Sequence, residues 1–150
     1  VAVSAWAQVQ DDTITRVEAI TPTYDAPQRW RYLPPARDVE ERGRDREFIT
    51  DWRAGAGESV IVGASYRQER RVLVLHTYYQ DSDGVDDMIA SDHVDLIEAL
   101  QPTSTYPSGT WGALRVRLVL DPEAATEDEE DGLVVSFEID CIYRYPVTVV

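Results

Sequence analysis

From about Val3 to Ile20 the chain places Trp6, Val9, Thr13, Val17 and Ile20 three or four residues apart. That is the spacing of one helix face, and Pro22 ends the pattern because a proline pushes the residue before it towards extended geometry. A second helix is predicted after Asp81-Ser82-Asp83-Gly84, with Asp83 the N-cap candidate and Asp86 and Asp87 complementing the positive helix end. Its apolar stripe is Val85, Ile89, Leu96 and Leu100, with His93 inside it, and Pro102 closes it. Asp87, Asp92, Asp95 and Glu98 fall mainly towards the opposite face, which is expected to be wet or to meet a partner.

The remaining periodic segments have strand character. Gln28 to Leu33 is a short candidate between prolines. Glu58 to Tyr66 and Arg70 to Tyr79 are β-rich runs, and Arg67-Gln68-Glu69 between them suggests a hairpin turn. Both faces of Arg70 to Tyr79 are largely apolar, which predicts a central strand. Near the C-terminus, Ala113 to Asp121 alternates Leu114, Val116, Leu118 and Leu120 with Arg115, Arg117 and Val119. Leu133 to Tyr145 sends Leu133, Val135, Phe137, Ile139, Cys141, Tyr143 and Tyr145 one way, and Ser136, Glu138, Asp140 and Arg144 the other. Arg115 and Arg117 can then meet Glu138 and Asp140 across an antiparallel ladder, in a register held by the apolar face.

Three stretches predict loops. Residues 35–57 carry many charges around Val39, Phe48, Ile49 and Trp52, and are expected to form a long loop with a helical turn near Asp45 to Trp52. Gln101 to Gly112 is rich in Pro and Gly, and 122–132 is too acidic to pack. The order α-β-β-β-α-β-β within a single domain, 1–150, predicts an α+β fold with a mostly antiparallel sheet.

Charge narrows the function. Twenty-eight acids oppose fourteen bases, for a net charge of -14 and a pI near 4.4, and every base is Arg. A general duplex-DNA binder needs a basic face to displace phosphate counterions, so this balance argues against one. The acid serves solubility, or forms a wall past which DNA slides without sticking, while arginine suits bidentate contacts between subunits. No run approaches the roughly 20 apolar residues that cross a bilayer, and Val1 to Ile20 lacks the basic start of a secretory signal, so no membrane partner is expected. Cys141 stands alone, which excludes an internal disulfide and predicts a buried packing residue and a cytoplasmic assembly site.

No catalytic constellation emerges. His76 and His93 are expected on different elements, and Asp92 beside His93 comes without a third ligand. The acidic run from Asp81 departs from a calcium loop at positions six and twelve, where Asp86 and Asp92 stand. Gly55-Ala56-Gly57 lacks the spacing of a phosphate loop, and there is no Gly-x-Ser-x-Gly. A protein that is not an enzyme and holds no cofactor or metal is therefore expected. Arg29, Trp30 and Arg31, with Trp52 and Arg53, interleave bases and aromatics. That pattern fits single-strand stacking or a protein interface, and the net charge favours the interface.

The strand Arg70-Arg71-Val72-Leu73-Val74-Leu75-His76-Thr77-Tyr78-Tyr79, running into an acidic cap and the helix ending Asp95-Leu96-Ile97-Glu98-Ala99-Leu100, resembles the tail terminator (tail completion) proteins of long-tailed bacteriophages. So do the N-terminal helix leading through Pro22 and Tyr24-Asp25 into Arg29-Trp30-Arg31, and the two-strand C-terminal finish. The resemblance covers nearly the whole chain as pattern. It implies a sheet with helices packed against it and a homo-oligomer, a hexameric ring that caps the tail tube, joins a head-tail connector or stopper protein, and lets DNA pass without specific binding. The implied location is the tail or neck of a virion assembled in the host cytoplasm. Within such a ring, Arg42, Arg44, Arg46 and Arg53 are expected to meet Asp86, Asp87, Asp92 or Asp95 of the next copy, and Glu127, Asp128, Glu129, Glu130 and Asp131 to face the channel or the neck. The rival readings are a connector, stopper or minor tail protein, and a small acidic module that binds a basic partner.

Overall fold

Apolar alternation sustained over two long strands sets the centre of the molecule. The computed structural model describes residues 5–24, 28–33, 44–62, 66–80, 82–101, 111–119 and 132–146. In chain order these form α1 (Ala5–Glu18), β1 (Arg31–Tyr32), β2 (Glu47–Val62), β3 (Tyr66–Gln80), α2 (Val85–Ala99), β4 (Trp111–Val119) and β5 (Gly132–Pro146). The α+β class and the element order are those the sequence predicts. The five strands lie in the order β1-β2-β3-β5-β4, with β1 parallel to β2 and every other pair antiparallel.

β3 is central, flanked by β2 and β5. Residues paired across a ladder share a face. Phe48, Thr77 and Val135 make one such row, Trp52, Leu73 and Ile139 another, and Leu75 pairs with Phe137. Both helices press on this face. Val9, Val17 and Ile20 from the first helical segment, and Val85, Met88, Ile89, Leu96 and Leu100 from the second, join Leu73, Leu75, Phe137, Ile139 and Cys141 in one core. Each such side chain removed from water contributes about 1.5–3 kcal/mol. The opposite face carries Ile49, His76 and Ser136 in one row and Val74 beside Glu138. Arg53 pairs with Glu138 there and Arg70 with Asp140. Arg115 lies opposite Asp140, and Arg117 opposite Glu138, in the β4–β5 ladder.

Several boundaries differ from the expectation. Residues 47–52 are the first part of β2 and not a helical turn, because Phe48 and Trp52 alternate into the core while Ile49, Asp51 and Arg53 take the other face. The register shifts between Trp52 and Gly57, so Gly55-Ala56-Gly57 belongs to an irregularity within the strand. Arg67-Gln68-Glu69 is not a turn either. These residues pair with Ile61, Val60 and Ser59, and the ladder continues to Val62 opposite Tyr66. β1 shrinks to two residues, and Trp111 and Gly112 begin β4 where a loop is expected. At α2 the N-cap is Gly84, with φ of 83°, and no side chain caps the helix. Asp83 does not serve there. A Cβ on Gly84 would sit 2.6 Å from the Tyr24 hydroxyl, the movable end of an exposed side chain, so the left-handed backbone is what disfavours a side chain here.

Cys141 is fully buried on the core face of β5. Burial first, and the neighbouring Asp140 charge second, push its thiol up to about 12. Because the thiolate is the reactive form, a disulfide reagent is expected to leave Cys141 untouched in the native protein and to titrate one thiol per chain in denaturant.

Candidate functional site

The densest polar chemistry among the described residues lies where α2 meets Arg46, just before β2. Helical spacing carries the buried stripe of α2 through Val85, Ile89, Asp92 and Leu96, so an aspartate occupies a core position. Its partner is Arg46. Both side chains are 0% exposed, and the guanidinium grips the carboxylate in two places, Nε to Oδ2 at 2.8 Å and Nη2 to Oδ1 at 3.0 Å. Arg46 also donates to the carbonyls of Gln28 and Tyr24, and the Tyr79 hydroxyl donates to Asp92 Oδ2 at 2.7 Å. A bidentate arginine–carboxylate pair of this kind combines fixed geometry with strong hydrogen bonds.

The backbone supports the arrangement. Arg46 has φ of 67°, a left-handed conformation unusual for a side-chain-bearing residue. In that conformation its N–H donates to the Tyr78 carbonyl and its carbonyl accepts from Arg31, while the side chain turns inward. Asp95, one turn further along α2, accepts from both the N–H and the hydroxyl of Thr23. Asp45 accepts from the Gln80 N–H. The connection between α1 and β1 is thus tied to α2 at Thr23, Tyr24 and Gln28.

Burial raises the Asp92 carboxyl above its ordinary range, against the lowering pull of the Arg46 and Tyr79 bonds and the Arg46 charge. The Tyr79 phenol is held well above its usual value, by burial first and by Asp92 second. A raised phenol favours the fold at every pH below the ordinary tyrosine range, and that advantage fades as the pH climbs through the elevated value. In an alkaline absorbance titration Tyr79 is therefore expected to ionise only when the chain unfolds, and Tyr79→Phe to lower the late component by one phenol. Chemically the cluster holds elements together. With both charges sealed from solvent, it presents no open position to a ligand.

This geometry corrects several expected interface residues. Arg46 and Asp92 are spent on each other inside one chain, and Asp95 is buried against Thr23, so none of the three is available to a neighbour. Trp30 is core, edge-on to Phe48 and Phe137 with ring centroids 6.0 Å apart in each case. Trp52 is half-buried and donates to Gln10 Oε1, while Gln10 Nε2 donates to Thr50, which pins α1 to β2. Arg29, Arg31, Arg44, Arg53, Asp86 and Asp87 are exposed. Of these, Arg29 donates to the Ala19 carbonyl, and Arg53 pairs with Glu138. Arg42 and the acidic run Glu127, Asp128, Glu129, Glu130 and Asp131 lie outside the described residues.

The histidines have structural surroundings. His93 stacks at a tilt on Phe137, and His76 Nδ1 lies 2.9 Å from the Ser136 hydroxyl. A shallow depression at the start of α2 is lined by Ser82, Asp83, Gly84, Val85, Asp86, Asp87 and Leu133. Among the described residues, no three His, Cys, Asp or Glu side chains cluster as metal ligands, and no helix is long and apolar enough to cross a membrane.

The sequence signal for the buried pair was present in the helix itself. Asp92 sits three residues after Ile89 and four before Leu96, inside the apolar stripe. An acid there demands a buried cation. No protein-family model matches the chain, and no curated protein is significantly similar to it.

Proposed function

We propose that this chain is a structural, self-assembling virion subunit, a tail terminator that closes into a ring, caps the tail tube and joins it to the head. One observation carries the self-assembly part of this reading. α2 buries Asp92 and Asp95, yet leaves Val94 52% and Ile97 37% exposed on a strongly charged molecule. A helix that buries two acids and leaves two aliphatics in solvent has an outer face suited to a protein partner. The α+β element order and the pattern of helices on one sheet face support the tail-terminator assignment. The partners in this reading are further copies of the chain, the tail tube protein and a head-side connector or stopper. A net charge of -14 per copy keeps passing DNA from adhering.

Electron microscopy of the purified protein in negative stain tests the reading. Closed rings with a central opening are expected, and the same rings should bind one end of a tube assembled from tail tube protein. Uniformly small, solid particles at high protein concentration would contradict it.

A further inference from the structure

We infer that, in the ring proposed above, the outer stripe of α2 seats on the β1 edge of the next copy, with its acids facing Arg29 and Arg31. The inference rests on that reading and adds which two patches meet.

Ala90, Val94 and Ile97 follow one another at four- and three-residue spacing and form a line along the exposed side of α2. Exposed acids flank the line, Asp86 and Asp87 at the N-terminal end and Glu98 at the other. α2 contains no base that could neutralise them. A single exposed aliphatic residue is ordinary. Two, on a helix that has turned Asp92 and Asp95 inward, define an apolar centre with an acidic rim, the anatomy of a protein interface.

The charge complement is a different patch of the same molecule, at the β1 edge. The strand order puts β1 and β4 at opposite edges of the sheet. α2 lies against β4, and α1 lies against β5, β1 and α2. At the β1 edge Arg29 and Arg31 are exposed, the latter by 45%. Arg29 is anchored by its bond to the Ala19 carbonyl at the end of α1, and Arg31 stands 3.9 Å from Glu47, so both are placed before a partner arrives. Two different, complementary patches of one subunit make a heterologous contact, which propagates from copy to copy until the ring closes. An isologous contact of α2 on α2 would bring acidic rims together.

Complementation between two disabled variants tests this. Ile97→Glu disables the helix patch and leaves the arginine patch intact; Arg29→Glu with Arg31→Glu does the reverse. Val94→Glu stands as an independent version of the first variant. Val94 and Ile97 are exposed, so circular dichroism and the melting temperature of the helix variants should match the wild type; Arg31 stands beside buried Glu47, so Arg29→Glu alone is the milder version of the second variant. By sedimentation velocity each variant alone is expected to be a monomer. An equimolar mixture is expected to yield a one-to-one dimer and nothing larger, because only one sound interface can form. If the wild type assembles and both helix variants assemble as well, the stripe serves another partner and this inference falls while the ring reading stands. A dimer formed by the arginine variant alone would indicate α2 on α2 and would equally overturn it. A wild type that stays monomeric at every concentration overturns both.

Discussion

Arg46→Met should lower the unfolding free energy by about 3–5 kcal/mol at neutral pH, the range for removing one partner of a buried ion pair. Total stabilities of about 5–15 kcal/mol leave little after such a loss. The variant keeps much of the side-chain volume, so the loss reports on polar groups. Asp92 would be left as a sealed carboxylate, and the carbonyls of Tyr24 and Gln28 would lose their donor. The effect carries a pH signature whose sign follows from the direction of the Asp92 shift. Burial already raises this carboxyl in the intact protein, and removing the cation raises it further. A carboxyl whose folded value exceeds its unfolded one favours the fold below the unfolded value and loses that advantage as pH rises through the folded one. The deficit of Arg46→Met should therefore be largest at neutral pH and shrink towards about pH 4, the ordinary aspartate range. Chemical denaturation at several pH values measures this. The double variant Arg46→Met with Asp92→Leu should recover part of the loss, because an apolar pair removes the uncompensated charge. Equal deficits at pH 4 and pH 7 would mean that the pair contributes packing alone.

Phe137→Ala is expected to cost about 3–5 kcal/mol, the usual figure for deleting a buried phenyl ring and leaving part of its cavity open. Phe137 joins the layers of the core. It is fully buried at the middle of β5 and pairs with Leu75 on one side and Leu118 on the other. Trp30 meets it edge-on from the connection before β1, and His93 lies over it from α2. Its removal loosens both the helix layer and the Trp30 anchor, so thermal unfolding should fall sharply and near-ultraviolet circular dichroism from the tryptophans should weaken. Phe137→Leu, which fills most of the volume, should lose less than half as much. An alanine variant with an unchanged melting temperature would contradict the packing described.

These two predictions also mark where the sequence was legible. Phe137 stands in a strand whose strict alternation, Leu133 to Cys141, announces one buried face, and the register of Arg115 and Arg117 opposite Asp140 and Glu138 follows from that alternation. The two helices and the central position of β3 are readable for the same reason: apolar periodicity reports burial directly. Arg46 and Asp92 show the limit. Both read as surface residues by type, and the pairing of a loop arginine with a helix acid 46 positions away leaves no trace around Arg46. The only hint was the place of Asp92 within the stripe of α2. Residues 47–52 were obscured in the same way, since the acids and arginines around Phe48 and Trp52 masked a two-residue alternation. The candidate interface was half legible: Arg29 and Arg31 are surface residues as their type suggests, whereas Val94 and Ile97 face outward because the buried acids take their share of the helix's inner side.

The burial of Arg46 and Asp92 and the exposure of Val94 and Ile97 are consequences of one choice. Polar groups tie the loops of a subunit together, and two aliphatic residues of α2 stay exposed, which in the proposed ring meet the neighbour. Mass measurement of the intact, unmodified chain by native mass spectrometry across a wide concentration range tests that account most directly. The account predicts one closed species of several identical copies, with no ladder of ever-larger oligomers. A single peak at the 17.0 kDa mass of one chain throughout would contradict it.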